Sequence, residues 1–280
     1  MNMNKSMSMG NSESTPSLWL TCRTLWQREV VRFVRQRGRV VGAMLTPPVF
    51  WVLAGAALDQ SFILPRGDAG DMKYLEYAFP GALASILLFN AIFSTISIVE
   101  DRREGFLQGV LVAPGSRAAI VIGKVLGVTT LATVQAAIFL LIAPIAGMGL
   151  SFMSYAATLA AMIVVAFGLT SLGFWIAWRM ETTQGFHAIM NLVLMPMLFL
   201  SGAFFPATGS AKWLSVVMAL NPMTYGVSLI RSSIYMNMEA RGGVDGVGVW
   251  PALGVSLGFA ALMCGLSIRS ATRESARVLQ

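Results

Sequence analysis

Between Lys124 and Arg179 the chain runs for 54 residues, Val125 to Trp178, without one Lys, Arg, Asp or Glu. A soluble domain cannot hide such a run, because ordinary globular composition places about one charge in every four residues. Two helical crossings of a bilayer joined by a tight turn can. A hydrocarbon layer of ~30 Å takes about 20 helical residues, and a helix bonds its own peptide groups where water is absent. Pro144, Gly147, Gly149 and Ser151 fall near the middle of the run and predict the turn. The whole chain agrees, with 56% hydrophobic and 12% charged residues over 280 positions. The expected fold class is an all-α integral membrane protein.

Four more uncharged windows are long enough to cross: Val40–Leu58, Tyr77–Val99, Ala188–Ala211 and Gly246–Ile268. With the two halves of the long run they make six transmembrane helices. A further apolar window, Trp213–Ile230, is interrupted at Asn221-Pro222. Proline removes an amide donor and breaks a helix, so this window predicts two short segments at the outer surface, a broken outer segment before the last span. The expected organisation is a disordered polar N-terminus over 1–17, an amphipathic interfacial helix over 18–39, a six-span region over 40–273 and a tail over 274–280. Residues 1–17 contain no apolar run, which argues against a cleavable secretory signal.

Basic residues set the orientation, since Lys and Arg are retained on the cytoplasmic side. With both termini inside, the inner segments hold fifteen Lys and Arg and the outer segments five: Arg66, Lys73, Lys212, Arg231 and Arg241. The net charge of +7 therefore belongs to a face that meets anionic lipid headgroups, and no nucleic-acid partner is expected. Cys22 and Cys264 stand alone, suggesting neither a disulfide framework nor a metal site.

Two stretches carry functional signals. In 18–39, Trp19, Cys22, Leu25, Trp26, Val30 and Phe33 recur at helical spacing, while Arg28, Arg32, Arg35 and Arg39 track another face. Such a helix can lie in the membrane interface with its arginines in water. After the second span, the cluster Glu100-Asp101-Arg102-Arg103-Glu104 ends the apolar run, and Phe106, Leu107, Val110 and Leu111 give one apolar face before Pro114-Gly115. This predicts a short cytoplasmic helix that packs on lipid, on its own bundle or on a soluble partner. At membrane depth Asn90 and Gln135 are expected to bond neighbouring helices. The single histidine, His187, is expected to be structural.

The order of several motifs resembles a known family. The second span opens Phe79-Pro80-Gly81, and the loop reads Asp101-Arg102-Arg103-Glu104-Gly105, then Pro114 and Gly123-Lys124. Later come Leu200-Ser201-Gly202-Ala203-Phe204-Phe205-Pro206 and Asn221-Pro222-Met223-Thr224-Tyr225, with Arg231 soon after. Together, over Arg32 to Arg273, these resemble the permease subunit of type-2 ATP-binding-cassette exporters, a group that includes bacterial exporters of drugs, antibiotics and polysaccharides. Where that family often carries a small hydroxyl residue and then an acid after Glu-Gly, this chain has Phe106 and Gln108.

The resemblance implies that Asp101, Arg102, Arg103, Glu104, Gly105 and Pro114 form a coupling helix for a separate ATPase. It also implies that Ser201, Gly202, Pro206, Asn221 and Pro222 form a gate or re-entrant segment at the outer side. It further implies two ATPase copies, a second copy of the permease, location in the bacterial cytoplasmic (inner) membrane, and export. The chain has no Gly-x-x-x-x-Gly-Lys-Ser/Thr loop. ATP and Mg are therefore expected only in the partner, with no cofactor, catalytic residue or metal ligand here. Two alternatives stay open: a membrane scaffold or assembly factor that moves nothing, and a secondary transporter driven by an ion gradient. Against the latter, the span interiors are expected to hold no ionisable residue.

Overall fold

The computed structural model describes residues 18–35, 37–58, 73–105, 116–205, 211–236 and 247–278. Among these residues every regular element is a helix. In chain order they are α1 (Leu18–Arg35), α2 (Arg37–Leu58), α3 (Tyr74–Ser94), α4 (Ile96–Arg103), α5 (Arg117–Leu140), α6 (Phe152–Ala177), α7 (Thr183–Phe199), α8 (Lys212–Leu220), α9 (Pro222–Ile234) and α10 (Val249–Val278).

Four helices are long and apolar enough to cross a membrane: Tyr74–Arg103, which joins α3 to α4, then Arg117–Leu140, Phe152–Ala177 and Val249–Arg273. A fifth is added if α8 and α9, bent by 82° at Asn221, count as one broken span. The crossings are unequal. The apolar window of the α3–α4 crossing is 89% buried, whereas that of α10 is 22% buried. The centre of the bundle is therefore α3, packed on α2, α5, α6 and α9. At one end of it Trp51, Phe79 and Phe139 meet ring to ring, with centroids 5.0–5.5 Å apart, and the Trp51 indole N–H donates to the Leu75 carbonyl at 3.0 Å.

The turn predicted near Pro144 is present: α5 stops at Leu140, Gly147 turns with φ 84°, and Ser151 caps α6 by accepting from the Ser154 amide at 3.1 Å. Two expected spans come out shorter than predicted. The first, α2, contains Pro47 and Pro48, and its apolar stretch is Leu45–Leu58. The other, expected over Ala188–Ala211, lasts as a helix only to Phe199. Gly202 takes φ 75°, and Leu200–Phe204 turns into the bundle, with Ser201 and Ala203 almost wholly buried. An uncharged sequence cannot reveal this, because a membrane-embedded turn is as apolar as the helix before it.

The break at Asn221-Pro222 is where the sequence placed it. Asn221 caps α9, its side-chain oxygen accepting from the Met223 amide at 3.0 Å, and Pro222 occupies the first helical position, which needs no amide donor. The expected surface location is corrected for α9. From Val227 to Ile234 every residue is buried, and Gly226 faces Val165 in the middle of α6. Only α8 keeps an exposed apolar face, with Trp213, Val216 and Leu220.

Candidate coupling and gating sites

At one end of the bundle α1, α4 and α5 meet around Asp101, whose side chain is 0% exposed. Backbone shape makes the meeting possible. Gly123 and Gly127 stand one helical turn apart on α5, and a Cβ on either would lie 2.8 Å from α1, against the Cys22 carbonyl and the Glu29 Cβ respectively. Small residues at four-residue spacing let helices approach to this distance, and α1 lies along the groove. The Trp26 indole N–H donates to the Thr130 hydroxyl at 3.1 Å.

Close approach buries charge. Arg28 forms two parallel bonds to Asp101, at 2.9 and 3.1 Å. Arg32 reaches Asp101 at 2.8 Å and Glu100 at 2.7 Å. Lys124, 2% exposed, pairs with Asp101 and, at 3.1 Å, with Glu29. Glu29 in turn accepts from the Ser97 hydroxyl at 3.2 Å. Three cations and three carboxylates from three helices thus neutralise one another. Burying one such charge unpaired would cost several kcal/mol (order of magnitude).

This arrangement corrects two expectations. Arg28 and Arg32 do not simply line a water-facing stripe; they hold α1 to α4. Lys124 and Asp101, expected among the inner segments at the ends of spans, are buried against each other, with side chains 2% and 0% exposed.

The candidate coupling residues divide accordingly. Asp101 faces inward. Arg102 also turns back, donating to the Trp178 carbonyl at 2.8 Å, with its guanidinium 5.4 Å from the Trp178 ring. A cation at the carbonyl end of α6 matches that helix's dipole. Arg103 and Glu104 are exposed. Gly105 ends the helix with φ 74°, its amide donating to the Arg102 carbonyl at 3.2 Å. Pro114 and the predicted apolar helix lie outside the described residues.

At the opposite end the candidate gate residues converge. Gly81, in α3, leaves no room for a side chain: a Cβ would come within 2.1 Å of the Ala203 carbonyl. The Tyr77 hydroxyl and an Arg231 N–H both donate to the Gly202 carbonyl, each at 3.2 Å. The Ser201 hydroxyl donates to the Leu198 carbonyl at 2.6 Å. The Asn221 amide reaches the Met197 carbonyl at 2.7 Å, and Thr224 donates toward Leu200 and Met218. Ser201, Gly202, Asn221 and Pro222 are therefore brought together by α3, α7 and α9. Pro206 lies outside the described residues.

Residues 21–235 match the ABC-2 type transporter family. The chain belongs to that family. It is 32% identical over 219 residues to the transport permease ycf38 of Porphyra purpurea, covering 77% of this chain and 74% of that one. It is 24% identical over 219 residues to the inner membrane transport permease YadH of Escherichia coli K12, covering 76% and 82%. Nodulation protein J of Rhizobium leguminosarum is 24% identical over 225 residues, covering 78% and 84%. The protein is thus a multi-pass membrane permease of an ABC transporter. It is not itself an enzyme, and ATP hydrolysis resides in an associated ABC ATPase.

Sequence reasoning quoted Lys124 and Arg231 only as motif residues and did not single out Glu29; it missed the partners of all three. Gly123-x-x-x-Gly127 was a readable sign of helix contact around Lys124. Arg231 was readable as the lone charge in α9. The expectation for Asn90 is corrected: its amide bonds the Ile86 carbonyl of its own helix at 2.9 Å. Gln135 is buried, and its amide has no hydrogen-bond partner among the described residues. His187 lies beside the rings of Phe93 and Phe186, with centroids 5.7 and 6.1 Å away.

Proposed function

We propose that the permease is the membrane half of an exporter that works as a six-span subunit in two copies, with two ATPase subunits, in the bacterial cytoplasmic membrane. On this reading α2 and α7 complete the six spans. The 17 residues of α7 measure about 26 Å at 1.5 Å per residue, and the inward turn at Leu200–Phe204 makes up the remaining depth. Both termini are cytoplasmic, by the fifteen-to-five bias of basic residues. Substrate is apolar, lipid-like or a glycan, entering from the cytoplasm or inner leaflet between the two copies. ATP and Mg stay in the partner.

The observation that carries the reading is the end of the α3–α4 crossing. The most deeply buried crossing of the bundle, interrupted only at Thr95 between α3 and α4, ends at the exposed Arg103 and Glu104, so a push there acts on a crossing that runs through the core. ATP closure of the partners would act at this point, favouring one of two arrangements of the bundle.

A second reading, coupling to an ion gradient, is favoured by the buried carboxylates Glu29 and Asp101, since intramembrane ionisable groups mark ion pathways. Vesicles containing the permease and its ATPase distinguish the two. The exporter reading expects transport that needs ATP and survives a protonophore. Loss with protonophore at constant ATP would favour the second reading. For topology, single cysteines at Ser116 and Glu181 should label only from inside and one at Lys73 only from outside. The reverse pattern would overturn the orientation.

A further inference from the structure

We infer that Gln135 is a positioning residue for the outer gate: its amide is unpaired while the gate is closed and bonds Ser85 and Thr158 when the gate opens. This rests on the exporter reading above. Gln135 is 5% exposed, and neither its amide nitrogen nor its oxygen has a hydrogen-bond partner among the described residues. An unpaired amide in an apolar interior is costly, and a buried glutamine in a membrane bundle ordinarily bonds a neighbouring helix. Hydroxyls in the same helices show the usual remedy. Ser85, Thr130, Ser171 and Ser267 each donate to the carbonyl four residues back, at 2.8 Å. Thr158, at 0% exposure, makes no such bond. Two packed helices, α5 and α6, thus leave complementary groups unpaired: an amide, and a hydroxyl that can donate to it.

Their levels agree. Gln135 precedes the end of α5 at Leu140, and Thr158 follows the start of α6 at Phe152, so each lies about 7–9 Å along its helix from the turn joining them. On α3 the level is set by Phe79, whose ring stacks on Phe139 with centroids 5.0 Å apart. Counted from that pair, Ser85 and Gln135 lie about 9 and about 6 Å deeper. Ser85 is 2% exposed; its hydroxyl donates to the Gly81 carbonyl, and its oxygen keeps the capacity to accept. Gly81 is the residue clasped against Ala203. One short stretch of α3, from Gly81 to Ser85, therefore joins the closed gate to the level of the unpaired amide. Release of Gly81 lets α3 shift against α5 and α6, and the amide then donates to Ser85 and accepts from Thr158. The closed arrangement alone bears the unpaired amide. A group that interacts differently in two arrangements biases the equilibrium between them, here toward opening.

The test uses the permease with its ATPase, with and without a non-hydrolysable ATP analogue. Gln135→Met keeps the length of the side chain and removes the amide. Without nucleotide it should raise the melting temperature by about 2–4 °C, because an unpaired group is lost. Transport per ATP hydrolysed should nevertheless fall by about fivefold. An amide that merely held the fold together would give the opposite sign in melting. A double-mutant cycle with Thr158→Val should be additive without nucleotide and non-additive with the analogue. In a background lacking Cys22 and Cys264, a cysteine at Ser201 should label faster once the analogue binds, and Gln135→Met should remove most of that increase. Non-additivity in both conditions, which a permanent bond or a bridging water would give, overturns the inference, as does additivity in both. So does a Gln135→Met complex that melts lower, fails to insert, or matches wild type in transport per ATP or in Ser201 labelling. Each of these results leaves the exporter reading intact. Transport that needs no ATP in the unsubstituted complex would instead overturn that reading.

Discussion

The guanidinium of Arg231, on α9, lies over the ring of Tyr77, on α3, 4.5 Å from its centroid, and Arg231 is 0% exposed. The same guanidinium donates to the carbonyls of Gly202 and Tyr77. One side chain thus fastens α9, α3 and the inward turn after α7. Arg231→Met should lower thermal stability in detergent by about 2–4 kcal/mol, because buried carbonyls lose their donor. Arg231→Lys should recover only part, since an ammonium cannot reproduce the planar fork. A cysteine at Ser201 should label faster in both variants.

Gly81→Ala should be far more harmful than its size suggests. The added methyl meets the Ala203 carbonyl, a backbone atom that cannot swing aside. Gly254→Ala, on α10 with open space around it, is the matched control and should be neutral or stabilising by up to about 1 kcal/mol. Similar melting temperatures for the two would argue against the close contact of α3 with the inward turn.

Much of the scaffold was legible because lipid enforces a simple rule: uncharged runs of sufficient length become helices. That rule located the crossings of α3, α5, α6 and α10, and proline chemistry located the bend at Asn221. It could not see that α7 ends at Phe199, where composition does not change. Nor could it pair Lys124 with Asp101, or Arg231 with Tyr77. Those partnerships depend on which helix faces which, a property of the assembled bundle. Nor could it tell that Asp101 and Arg102 turn back into the bundle while Arg103 and Glu104, at the same helix end, are exposed.

Glu104→Ala should leave thermal stability nearly unchanged, since exposed charges contribute little, while transport falls with the ATPase still co-purifying or binding less well. Asp101→Ala should instead fail at the level of protein yield, because it strips the shared partner from Arg28, Arg32 and Lys124. Comparable yields for the two variants, measured by fluorescence-detected gel filtration, would contradict this division of roles.

Gly105→Asn should be better tolerated than Gly105→Val. The left-handed backbone there suits glycine, is entered by asparagine at modest cost and is strongly disfavoured by a β-branched side chain. Nothing lies near the missing Cβ, so bulk is not the issue. Melting temperatures should follow glycine, asparagine, valine in descending order.

Cys22 is a built-in reporter of the α1 contact. Burial pushes its thiol up from the usual range, so maleimide labelling at neutral pH should be slow in a Cys264→Ser background. Gly127→Leu should wedge α1 away from α5 and accelerate labelling several-fold. An unchanged rate would mean that α1 does not depend on the glycine groove.

The deep burial of the α3–α4 crossing also has a consequence for biosynthesis. That crossing leaves the ribosome before α5, α6 and α9, which cover most of it, and Arg231 follows Tyr77 by 154 residues. The centre of the bundle is therefore made early and enclosed late. Until α9 arrives, Tyr77, Gly81 and the inward turn have no lid, and Asp101 must wait for Lys124 to complete its charge balance. Chains truncated before α9 should consequently be inserted yet unfinished, held by the insertion machinery or marked for proteolysis. Quality control in the membrane would read this permease chiefly at its C-terminal third.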